Sequence, residues 1–134
     1  LNTLKDFFLK FVCTDCNMAS RITKLTTGLT GLQVVQDPTK HLKIIYARIL
    51  KALQHMPETS EYRNSTNNVI MSRLNLIETE PDISKIEKSI GLGQIEEIIL
   101  QAEYELKLAR TMLKYKPWEP LTANASENQW KWPL

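Results

Sequence analysis

Residues 94–118, QIEEIILQAEYELKLARTMLKYKPW, constrain this chain more than any other stretch. Ile95, Ile98, Ile99, Ala102, Leu106, Ala109 and Leu113 recur at helical spacing and form one apolar stripe. Leu100, Tyr104 and Leu108 form a second row beside it, and so wide an apolar face suits a helix packed against more than one neighbour. The charges agree with the helix direction. Glu96 and Glu97 fall in the first turn, and Arg110, Lys114 and Lys116 gather near the end, where the macrodipole favours cations. Glu103 and Lys107 add an i,i+4 pair worth about 0.2–0.5 kcal/mol. Pro117 has no N–H to donate and disfavours helical geometry in the residue before it, so the helix ends at or before Lys116.

Three further helical or near-helical stretches precede it. Asp37 as N-cap and Pro38 at the first helical position open a helix over residues 38–54. Its Leu42, Ile45, Tyr46, Ile49, Leu50 and Leu53 recur at offsets of three and four, while Lys40, Lys43, Arg48 and Lys51 take the other side as a solvated face. A second helix begins at Ser60 and runs to Thr79, with Tyr62, Thr66, Val69, Arg73 and Leu76 in line and Ile70 and Ile77 adjacent. Asn64 to Asn68 is a weak helical stretch, because Asn and Ser compete for backbone hydrogen bonds. Pro81 breaks this helix. Ile83, Ile86 and Ile90 then read as a short amphipathic turn, closed by Gly91 and Gly93. The fold class expected is all-α: a three-helix bundle over residues 37–116, with an extended N-terminal lead-in and an extended Trp-rich C-terminal tail.

The lead-in is the stretch 18–36. Within it KLTTGLTGLQVVQ is interrupted by Gly28 and Gly31 and is rich in Thr and Val, so an extended path is expected. Leu25, Leu29 and Leu32 can anchor it on a hydrophobic surface, its own bundle or a partner. The tail, residues 117–134, holds all three tryptophans, Trp118, Trp130 and Trp132. Exposed aromatics are costly to leave wet. The tail therefore either folds back on the bundle or docks on a partner, where Trp is enriched at binding hot spots. Leu29, Leu32, Trp118, Trp130 and Trp132 are the candidate partner-binding residues.

Residues 1–17 stand apart. Leu4, Phe7, Phe8 and Phe11 share one helical face, which fits a short membrane-surface or targeting helix; Asp6, Asp15 and the lack of Arg fit a transit peptide poorly. The alternative is a non-native extension ahead of Met18. Cys13 and Cys16 form a Cys-x-x-Cys that supplies half a zinc site at most, and His41 and His55 lie at opposite ends of a predicted helix. Neither a metal nor a cofactor site is expected.

A net charge of +2 with basic and acidic residues interleaved gives no electrostatic case for nucleic acid. No apolar run approaches the roughly 20 residues of a membrane span. Glu96-Glu97 reads as a helix N-terminus and not an acid/base dyad, and no nucleophile stands with a base. The residues favour a binding or structural role over an enzyme. A membrane-surface or lipid-binding small helical protein is the alternative from a different class.

KLTTGLTGL at 24–32, ILQAEYELKLAR at 99–110 and the ending KPWEPL…QWKWPL together resemble one family closely. It is the small alpha-subcomplex accessory subunit of mitochondrial respiratory complex I, NADH:ubiquinone oxidoreductase. Glu80-Pro81-Asp82 and Gly91-Leu92-Gly93-Gln94 fall where that family has similar elements, and the resemblance covers residues 18–134. It implies a non-catalytic, cofactor-free helical bundle, peripheral to the inner membrane on the matrix-facing hydrophilic arm. Its implied partners are the thirty-kilodalton hydrophilic core subunit of the quinone module and neighbouring accessory subunits, with only an indirect effect on electron transfer. The resemblance also makes Met18 the expected natural start. Residues 1–17 have no counterpart in the family, and the Asn-rich stretch 64–68 is less charged than is usual there.

Overall fold

The computed structural model describes residues 24–132, and among them the secondary structure is four α-helices and no strand. They are α1 (Pro38–Leu53), α2 (Glu61–Thr79), α3 (Ile83–Ile90) and α4 (Ile95–Tyr115). No helix among the described residues is long and apolar enough to cross a membrane. The described residues are all-helical as expected, but with four helices instead of three. The stretch expected as an amphipathic turn is a full eight-residue helix. Both of its ends are capped: the Asp82 side chain accepts from the Ser84 N–H (3.1 Å), and Gly91 enters the left-handed region (φ 67°) while donating to the Glu87 carbonyl (2.8 Å). Two caps and an Ile83/Ile86/Ile90 face outweigh its shortness, and Ile86 is fully buried.

The other helix boundaries follow the sequence. Pro38 occupies the start of α1; the Asp37 carbonyl accepts the His41 N–H, but the Asp37 side chain makes no capping bond. Ser60 caps α2, its hydroxyl oxygen accepting the Arg63 N–H at 3.5 Å. Helix α4 stops at Tyr115, and Lys116, denied right-handed helical geometry by Pro117, turns left-handed (φ 47°) and donates to the Met112 carbonyl.

The core is a seam between α1 and α4. Leu42, Ile45, Tyr46, Ile49, Leu50 and Leu53 meet Ile95, Ile98, Ile99, Ala102, Leu106 and Ala109, all buried as the two stripes imply. Helix α2 packs on α1 beside this seam, and α3 packs on α2. Leu113 is only half-buried against the core.

Helix α2 is rotated from the expected face. Its buried row is Thr66, Ile70, Leu74 and Ile77, whereas Val69 is 47% exposed. The expected row Tyr62–Thr66–Val69–Arg73–Leu76 lies one position to the side. Both rows keep offsets of three and four, and the polar Asn64–Asn68 stretch leaves the sequence little amphipathic contrast to choose between them. At the head of the helix Tyr62 ties α2 to α4, its hydroxyl donating to Glu105 Oε1 at 2.6 Å.

The two faces predict different mutational costs. Leu74 is 1% exposed, so Leu74→Ala in the full chain is expected to lose about 2–5 kcal/mol in a urea melt. Val69→Ala is expected to stay within about 0.5 kcal/mol of wild type. The reverse ordering would put α2 on the face that its sequence pattern first suggests.

Candidate docking surface

The polar chemistry converges on the N-terminus of α4. Gly93 (φ 92°) leaves space that a Cβ would contest with the Glu97 carboxylate, and Glu97 Oε2 uses it to accept the Gln94 N–H at 2.9 Å. Glu87 on α3 accepts the Ile95 N–H at 2.8 Å. Two otherwise unpaired helical donors are thus satisfied by carboxylates, where the macrodipole favours negative charge. The lead-in closes over this end. Lys24 Nζ donates to Gln94 Oε1 and to Glu96 Oε2 (2.8 Å), and Gln94 Nε2 donates to the Thr27 carbonyl (3.0 Å). Glu96 is 2% exposed.

Sequence reasoning missed this clasp. Glu96 reads as a surface charge of the first helical turn, and no periodicity links it to a lysine 72 positions away. Its one signal is positional: Glu96 lies one residue beyond Ile95, at the edge of the apolar stripe. The Leu-rich lead-in is therefore held chiefly by Lys24 and Thr27. Thr27 is buried and ties its own loop, accepting the Leu29 N–H (3.2 Å) and donating to the Leu32 carbonyl (2.7 Å). Leu25 is 99% exposed, Leu29 exposed and Leu32 half-buried, while Val35 packs against the core.

The tail divides in two. Trp118 is half-buried against the bundle, and the Glu119 N–H donates to the Lys116 carbonyl at the turn out of α4. Beyond it, Trp130 and Trp132 are each 90% exposed. Local turns shape this segment: the Gln129 N–H donates to the Ser126 carbonyl and the Lys131 N–H to the Asn128 carbonyl. Of the five candidate residues, then, Leu29, Trp130 and Trp132 stand outward, Leu32 is half-buried, and Trp118 leans on the bundle. They do not form one patch: the lead-in sits at the start of α4 and the tail leaves from its end.

Two further features lie on α4. Of the second apolar row, Leu100 is half-buried and Tyr104 and Leu108 are exposed, as is Tyr115 beyond it; Lys107 and Lys114 lie over the rings of Tyr104 and Tyr115 at 4.9 and 5.2 Å. Between α2 and α4 runs a cleft of about 190 Å³, lined by Tyr46, Thr66, Val69, Arg73, Gln101 and Glu105 among others. Burial pushes the Tyr46 hydroxyl up in pKa, and the nearby Arg73 charge opposes only part of that; the hydroxyl makes no hydrogen bond of full geometry. Burial, then the Glu105 carboxylate, pushes Tyr62 up. Both phenols stay protonated at neutral pH, and the cleft holds no nucleophile set against a base. Among the described residues no three His, Cys, Asp or Glu side chains come together as metal ligands would. His41 is half-buried and His55 exposed on α1 and its C-terminal turn, and Cys13 and Cys16 lie outside the described residues, as does the amphipathic face of residues 1–17.

Comparison with known proteins gives a consistent result. The family model described as the ETC complex I subunit conserved region matches residues 31–97. The chain is similar to NADH dehydrogenase [ubiquinone] 1 alpha subcomplex subunit 5 of Bos taurus, 49% identical over 111 residues, covering 83% of this chain and 96% of the relative. It is likewise 49% identical to the probable subunit 5 of Caenorhabditis elegans over 83% of this chain and 74% of that one. The probable mitochondrial subunit 5 of Arabidopsis thaliana is 40% identical over 71% of this chain and 56% of its own length.

The clasp makes an asymmetric prediction. Lys24→Met strands the buried Glu96 carboxylate and is expected to cost about 2–3 kcal/mol, below the 3–5 of a fully buried pair because Lys24 is partly exposed. Glu96→Gln removes the charge and keeps the shape, so it is expected to cost about 1 kcal/mol. Urea melts of both variants check this; equal costs would mean that stranding the Glu96 charge carries no penalty of its own.

Proposed function

We propose a role that starts from one premise: the chain belongs to the complex I alpha subcomplex subunit 5 family. It is a subunit of mitochondrial respiratory complex I, its partners are other complex I subunits, and it is not itself an enzyme. In this reading it is an accessory subunit that adds structural support. Residues 37–116 form the scaffold, and residues 18–36 and 117–134 are docking arms. Its place is peripheral to the inner membrane, on the matrix side of the hydrophilic arm. There it holds the thirty-kilodalton core subunit of the quinone module and neighbouring accessory subunits, and it supports NADH-to-ubiquinone electron transfer only indirectly. No cofactor is required.

The observation that supports this reading most is the state of the tail. Two tryptophans, Trp130 and Trp132, are 90% exposed beside a bundle whose own core is already closed. Burying them cannot be needed to complete that core, whereas a partner groove would gain from both. Leu29 and Leu32 give the lead-in a smaller apolar contact of the same kind.

Changing Trp130 and Trp132 to Ala is expected to leave the urea midpoint of the isolated chain unchanged, because neither ring packs on it. The same variant should enter the large complex poorly, since each desolvated Trp at a hot spot is worth about 2 kcal/mol or more. A native gel of mitochondrial membranes, probed for a tagged copy and stained for NADH dehydrogenase activity, checks this. Full incorporation of the double variant would remove the docking role of the tail.

A further inference from the structure

Helix α1 holds Lys40, Lys43, Arg48 and Lys51 and contains no Asp or Glu. The chain as a whole nets only +2, so these four side chains carry more positive charge than the molecule does. Lys40, Ile44, Arg48 and Lys51 recur at offsets of four, four and three, and His55 follows four further on. They form one straight outward row, about 16 Å from Lys40 to Lys51 at 1.5 Å per residue. Lys43 flanks it. The opposite face of α1 is the core seam, so the row is held rigidly. Among the described residues none of the four cations makes an ion pair; the pairs there are Lys24–Glu96, Lys85–Glu80 and Lys116–Glu119. The middle of the row is apolar, with Ile44 51% exposed.

We infer that this outward row of α1 docks on an acidic surface of a neighbouring protein subunit, its cations pairing with carboxylates around a contact centred on Ile44. The inference deepens the accessory-subunit reading and rests on it. An unneutralised row of one sign is what charge complementarity uses to steer and orient a partner. A lipid surface fits less well. A helix that lies in a membrane interface buries a broad apolar face in it, and the apolar face of α1 is spent on the core, leaving Ile44 alone.

The test compares wild type with the triple variant Lys40→Glu, Arg48→Glu, Lys51→Glu, tagged and expressed in mitochondria lacking their own copy. Assembled complex is also treated with a carbodiimide, which joins lysine amines directly to carboxylates, and the cross-links are mapped by mass spectrometry. The expected result is that wild type runs with the active large complex and yields amide cross-links from Lys40, Lys43 or Lys51 to Asp or Glu of another subunit. The triple variant should incorporate about tenfold less or worse, with an unchanged urea midpoint because the mutated side chains touch solvent. A neutral variant, Lys40→Gln, Arg48→Gln, Lys51→Gln, should fall between the two and keeps the test valid if the reversal impairs folding. Incorporation of the triple variant at the wild-type level, or no cross-link from α1, overturns the inference while leaving the subunit reading intact. So does charge-dependent binding to phosphatidylserine vesicles with incorporation unaffected. Wild type running only as a small species overturns the subunit reading itself and this inference with it.

Discussion

Everything else in the structure hangs on the seam between α1 and α4. Two stripes with offsets of three and four face each other over their length, and burying a Leu or Ile side chain there contributes about 1.5–3 kcal/mol each. Ala102 and Ala109, both fully buried, are small residues on the α4 side, leaving room for Leu and Ile from α1 and the ring of Tyr46. Helix α2 could not stand alone. Its middle is Asn-rich, its helical propensity is modest, and its position depends on Thr66, Ile70, Leu74 and Ile77 finding a surface that the seam has already made. Helix α3 is shorter still and is held by its caps and by Ile86.

The seam also fixes where charge can be buried. Once Ile95, Ile98 and Ile99 are committed inward, the residue between them at position 96 is carried to the margin of the core, and its carboxylate leaves water with them. Lys24 answers that cost. The result links the first described residue to a helix 72 positions away, and it turns a segment without regular structure into a fixed arm. Its neighbour Glu97 reaches back into the space above Gly93, so the glycine before α4 is there because a side chain must occupy the place of its Cβ.

How much of this was legible in the sequence follows from the kind of force involved. The boundaries of α1, α2 and α4 were, because Pro38, Ser60 and Pro117 act locally. So was the content of the seam, because both stripes are strongly periodic. The α2 face was not, because Tyr62–Thr66–Val69 and Thr66–Ile70–Leu74 obey the same period and only tertiary contact separates them. The helix at Ile83–Ile90 was underrated: its three isoleucines and both caps were visible, but its shortness hid that caps and a buried Ile86 together can sustain two turns. The clasp was invisible, since nothing local distinguishes a buried glutamate in a first helical turn from an exposed one. The tail and lead-in residues were singled out by composition. The structure places Trp118 against the bundle, leaves Leu32 half-buried and puts Trp130, Trp132 and Leu29 outside, a split that composition does not contain.

Helix α4 gives these parts a geometry. At 21 residues it is about 30 Å long, and the lead-in is clasped at its first turn while the tail departs from its last. Two weak apolar arms held that far apart on a rigid rod do not act as one patch. If each engages its own groove, the second contact forms within the first complex, and its effective concentration replaces the bulk one. Modest contacts such as Leu29 or a Trp pair then suffice for stable attachment, and losing either arm costs far more than its own area. Such a two-point attachment would ask that the lead-in leave α4 from a fixed point, and the Lys24–Glu96 pair supplies one. A protein without a catalytic constellation among its described residues thus puts its buried glutamate where the lead-in meets the first turn of α4, and the pair with Lys24 fixes that junction.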